Sequence, residues 1–168
     1  MPPQSDLLIA IAQISIAFAG FSGVIASFSK FRLHADVTRF RVQLIVVAGL
    51  STVIFSLLPF LPALFGVDEE LGWRLCCAVL FVVGVVFPYF AVKRARELYR
   101  AGLLHTQAFT IVYNLIGVAI TAALFFSAAG PLSHLGAAVY ITSLVFTLFL
   151  CAYYFFMQMF AIDLDAKP

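Results

Sequence analysis

Gly20-Phe21-Ser22-Gly23 is a run whose residue types and spacing could present a serine nucleophile. Hydroxyl attack needs a base within hydrogen-bond reach. The histidines are His34, His105 and His134, and each falls in a connecting segment or at the end of an apolar run. Ser22 lies deep inside such a run, so nucleophilic catalysis is not expected. There is no His-Glu-x-x-His pair and no Gly-rich phosphate loop. Cys76, Cys77 and Cys151 do not make a disulfide framework, and Cys76 and Cys77, being adjacent, point to different helix faces. They are too few for a metal site and read as small apolar packing residues. The expectation is a non-enzyme without catalytic residue, cofactor or metal.

The remaining chemistry is neutral. Gln107, Thr110, Asn114, Gly117 and Thr121 recur at helical spacing, as do Tyr140, Ser143, Thr147, Cys151, Tyr154 and Gln158. Such hydroxyls and amides can hydrogen-bond between helices or line a wet path. Asp68, Glu69 and Glu70 form an acidic run that could concentrate cations.

Positioning these residues falls to a very apolar chain. Of 168 residues, 64% are hydrophobic and 11% charged, and the mean hydropathy is +1.08. A soluble domain is nearer half apolar and a quarter charged. Disorder, a coiled coil and a secreted disulfide scaffold are excluded, and a net charge of +2 is too small for a nucleic-acid partner. A hydrocarbon core of about 30 Å takes roughly 20 apolar residues per helix. Stretches near 5–29, 38–65, 73–92, 108–129 and 136–161 qualify. The expected fold is an all-α membrane protein: a five-transmembrane-helix bundle forming one domain over 1–168. Met1–Asp6 carry no Lys or Arg and the apolar run is long, unlike a cleavable signal peptide.

Lys and Arg accumulate on the cytoplasmic side. Of the ten present, Lys30, Arg32, Arg39, Arg41, Lys93, Arg94, Arg96, Arg100 and Lys167 share one side of a five-span chain. Only Arg74 falls on the other. The N-terminus is therefore expected outside and the C-terminus in the cytoplasm, with Trp73 and Tyr140 in the outer aromatic belt. The basic segments serve orientation and contact with anionic lipid, worth about 1 kcal/mol per residue.

In the first helix Leu7, Ile11, Ile14, Phe18, Phe21, Ile25 and Phe28 make a bulky stripe. Ala12, Ser15, Ala19, Ser22, Gly23 and Ala26 lie opposite. A small-xxx-small surface lets backbones approach closely in lipid, so Ala12, Ser15, Ala19, Gly23 and Ala26 are expected to pack against another helix. Pro59, Pro62 and Pro88 cannot donate, which frees the carbonyls of Phe55, Leu58 and Gly84 and predicts kinks. The run Ile9–Arg32, the Pro-broken second helix and the Trp73-Arg74-Leu75 start of the third together resemble a recurrent type of small bacterial multi-pass membrane protein. The resemblance covers the first three helices and implies no activity.

Ionisable groups at mid-membrane mark proton relays and voltage sensors, and these runs hold none. The expected function is an oligomeric channel or pore for passive passage of ions or small solutes, cations favoured. Its wall would be Thr110, Asn114, Thr121, Ser143 and Thr147, or Ser15 and Ser22 of the first helix, with Asp68, Glu69 and Glu70 outside. The alternative is a non-catalytic accessory or scaffold subunit of a larger membrane complex. The expected partners are the lipid bilayer and further copies of the chain as a homo-oligomer. The expected location is the cell membrane, the inner membrane of a bacterium.

Overall fold

The computed structural model describes the backbone of residues 4–28, 35–100 and 108–164. Side chains are described over 4–24, 39–40, 42–94, 96–97, 100 and 114–156. The described residues are almost all helical, without a strand. The helices are α1 (Ser5–Phe28), α2 (Ala35–Leu57), α3 (Phe60–Leu64), α4 (Glu69–Arg100), α5 (Ala108–Ala129) and α6 (Gly136–Leu164), with a 3₁₀ turn at Ser133–Leu135. Four stretches are long and apolar enough to cross a membrane: Ser5–Val24, Val42–Leu64, Glu69–Arg94 and Ser133–Phe156. In α5 the described apolar stretch, Asn114–Ala129, is shorter.

Local sequence explains where the elements begin and end. Pro59 and Pro62 lack the donor that would continue α2, so the chain breaks after Leu57 and re-forms the short α3. Gly66 closes α3 in the left-handed region, φ 68°. Its N–H donates to Ala63 O at 3.3 Å and the Val67 N–H to Pro62 O at 3.0 Å, a Schellman closure. Asp68 then caps α4: Oδ2 accepts from the N–H groups of Glu70 (3.2 Å) and Leu71 (3.4 Å). α4 consequently starts before the expected residue 73. It also runs past 92, because Lys93–Arg100 is made of good helix formers. Lys93, Arg94, Arg96 and Arg100, expected in a loop, lie instead on this helix. Its 32 residues span about 48 Å, well beyond a 30 Å hydrocarbon core. The helix continues through Pro88.

Two hairpins, α1 with α2 and α4 with α5, are joined by α6, which packs against all four of those helices. The core has two layers. Near the N-terminal face of the bundle, Leu8, Ile11, Phe55, Trp73, Cys76, Cys77, Leu124, Tyr140 and Leu144 bring the five long helices together. Further along, Ile45, Ala48 and Cys151 pack with Phe18, Tyr154 and Phe155 from α1, α2 and α6 only. There α4 exposes Val82, Val85 and Val86, and α5 exposes Leu115 and Val118.

Candidate functional site

The small residues of α1 meet α2. Ala12 and Ser15 are buried. A Cβ added to Gly49 of α2 would sit 3.1 Å from the Ser15 carbonyl oxygen and 3.4 Å from the Ala19 Cβ, so the two backbones touch there. Gly23 departs from the expected stripe. It is exposed, and a Cβ there would meet nothing within 4 Å. The side chains of Ala26 and Thr110 lie outside the described residues.

Most of the hydroxyls bind backbone of their own helix. Ser15 donates to Ile11 O (2.8 Å), Thr121 to Gly117 O (2.8 Å), Ser143 to Tyr140 O (2.7 Å) and Thr147 to Ser143 O (2.9 Å). Thr52 and Ser56 of α2 do the same, one turn back, at 2.8 Å each. This local bond satisfies a hydroxyl inside hydrocarbon without recruiting another helix. Ser15, Ser22 and Ser143 are buried in the bundle, and Ser22 Oγ has no hydrogen-bond partner among the described residues. Among the described residues no histidine stands by Ser22: His134 is exposed in the 3₁₀ turn, while Ser22 is about 25 Å along α1 from its first residue. His34 and His105 lie outside the described residues. Among the described residues no cluster of three or more His, Cys, Asp or Glu could hold a metal ion.

The polar face of α5 is divided among three surroundings. Thr121 lies beside α4, where a Cβ on Gly84 would stand 3.8 Å from its hydroxyl oxygen. Gly117 faces the Phe146 ring of α6, 3.6 Å from its would-be Cβ. Asn114 is on the exterior, next to Leu115 (65% exposed) and Val118 (68%).

Tyr140 and Trp73 correct the expected aromatic belt. Tyr140 is 0% and Trp73 6% exposed, with ring centroids 5.8 Å apart, so neither reaches a headgroup. Tyr140 instead donates its hydroxyl to Phe55 O at 2.6 Å, the carbonyl that Pro59 leaves open. The sequence carried half of this signal: Pro59 announces an orphan acceptor, and a tyrosine is among the few apolar-bodied donors able to reach it. The carbonyl freed by Pro62, Leu58 O, is taken by the Leu61 N–H at 3.1 Å.

Charge sits at the helix ends. Asp68, Glu69 and Glu70 are exposed at the start of α4, where the helix dipole favours anions. Arg74 reaches across to the end of α5, its Nε–H donating to Ala128 O at 3.3 Å. Gly130, at φ 113°, leaves room for it: a Cβ there would lie 3.5 Å from the guanidinium. At the far end of α4, Arg94 pairs with Glu97 at 2.7 Å, both exposed, a contact of little energetic weight.

The chain matches no family model, no curated protein and no solved structure.

Proposed function

We propose that this is a five-span membrane protein, N-terminus outside and C-terminus cytoplasmic, whose copies associate through α5 and allow passive passage of ions or small solutes, cations favoured. The fifth crossing is α5, whose 22 helical residues are enough for the hydrocarbon core. The orientation follows from the one-sided Lys and Arg.

The observation that carries the reading is the placement of Asn114. An amide has two donors and an acceptor with two lone pairs. Asn114 makes a contact within its own chain, yet its side chain remains exposed on a flank of Leu and Val. Juxtaposing α5 from several copies covers the exposed Leu115, Ile116 and Val118 and brings the exposed Asn114 amides together along one axis. The buried hydroxyls of Ser15, Thr52, Ser56 and Ser143 already donate to their own helices, which favours a path between copies over one through a single chain.

A second reading is a non-catalytic accessory subunit of a larger membrane complex. The observation favouring it is the aromatic surface of Phe149 and Phe156 on α6 and Tyr89 and Phe90 on α4, all exposed.

Ion flux into liposomes, with insertion verified, separates the two. The channel reading expects flux above empty vesicles and altered flux for Asn114→Leu at unchanged copy number. No flux, together with a stoichiometric co-purifying protein from native membranes, supports the accessory role and refutes passage.

A further inference from the structure

The break at Pro59 and Pro62 leaves a crevice of about 250 Å³ between the α2–α3 elbow and the first turns of α4. Its walls are entirely apolar: Leu58, Leu61 and Phe65 on one side, Leu75 and Val79 on the other, with Cys76 at the floor. Cys76 is buried, whereas Leu61, Phe65, Leu75 and Val79 are exposed. The crevice is therefore cut into the outer flank of the bundle. Its shape is held by bonds already made, since Tyr140 fixes the Phe55 carbonyl and the closure at Gly66 fixes the end of α3.

We infer that this crevice seats part of one acyl chain of a phospholipid whose headgroup carries an ammonium group. The inference rests on the reading that α2, α3 and α4 lie in a bilayer. A lateral opening with no polar wall admits hydrocarbon and rejects water. The mouth selects the headgroup: Val67 lines the crevice and is followed directly by Asp68, Glu69 and Glu70, all exposed. These carboxylates attract an ammonium and repel a lipid of net negative charge. Arg74, whose Nε–H donates to the α5 carbonyl of Ala128, brings one positive charge against these three carboxylates and leaves them in excess. The acidic run thus gains a role that complements the capping by Asp68.

The test is native mass spectrometry of the full chain after reconstitution into nanodiscs of equimolar phosphatidylethanolamine and phosphatidylglycerol, followed by detergent stripping. One phosphatidylethanolamine is expected to remain per chain, preferred about fivefold over phosphatidylglycerol. Val79→Trp and Leu61→Trp, which fill the crevice from opposite walls, lose it. Val86→Trp, exposed two turns further along α4, keeps it. Glu69→Gln with Glu70→Gln, which leaves the Asp68 cap intact, keeps a lipid but loses the headgroup preference. Lipid-free chains, retention unchanged in both filled variants, equal retention of the two lipids by the native chain, or a lipid-free dimer that covers the crevice would each overturn the inference. Copy number and flux are read on the same preparations and do not enter this outcome, so failure here leaves the assembly through α5 to be judged by its own test.

Discussion

Tyr140 shows how a single side chain resolves a backbone problem inside an apolar helical bundle. Pro59 removes the N–H that would have met Phe55 O, and an unsatisfied carbonyl in that setting is costly. The Tyr140 hydroxyl meets it at 2.6 Å, while the ring fills the core beside Trp73. Tyr140→Phe keeps the ring and removes only the donor. It is expected to lower stability by about 1–2 kcal/mol, read as an earlier midpoint in denaturant unfolding of detergent-solubilised protein. An unchanged midpoint would mean that another donor reaches Phe55 O. The orphan acceptor was legible from Pro59, but its partner was not, because Tyr140 is 85 residues away in sequence and helical periodicity does not say which neighbour covers a face. The same gap misplaced Trp73 and Tyr140 in the aromatic belt. Both stand near the ends of apolar runs, as belt residues do, and only the packing of α2, α4 and α6 shows that they point inward. The hydroxyls were read as glue or pore wall because spacing alone does not reveal that Ser15, Thr121 and Thr147 satisfy themselves one turn back.

Among the elements, the helices themselves were the most legible part. Long apolar runs have few alternatives in lipid, and the α1 boundaries follow the hydropathy within a residue. Errors came where caps and charged helix formers extend a helix past its apolar part, as α4 does from Asp68 to Arg100. The seam between α1 and α2 was legible from the small residues of α1, but its partner glycine was not. Gly49 is where the two backbones touch, whereas Gly23 has open space around it. Gly49→Leu must therefore push α1 and α2 apart and is expected to cost about 1–3 kcal/mol. Gly20→Ala is the control: a Cβ at Gly20 meets nothing within 4 Å, so the better helix propensity of alanine makes it neutral or stabilising by up to about 1 kcal/mol. Unfolding of both variants under the same conditions checks the pair. Equal effects would place the seam elsewhere.

At the scale of the whole molecule, packing is uneven along the bundle axis. The N-terminal layer joins the five long helices, while the second layer holds only α1, α2 and α6 together. The exposed flank of α5 carries Leu115, Val118 and Asn114, and the proposed assembly depends on a second copy covering it. Composition pointed to helices able to cross a membrane, but no periodicity could say that Asn114 faces outward while Thr121 faces α4. Disulfide trapping in native membranes addresses this most directly. Cys76, Cys77 and Cys151 are buried and leave a quiet background. Leu115→Cys and Val118→Cys, which retain Asn114, are predicted to form dimers between chains under mild oxidant, while Leu57→Cys, exposed on α2, stays monomeric. Monomers at 115 and 118, with the control trapping as well or better, would contradict assembly through α5.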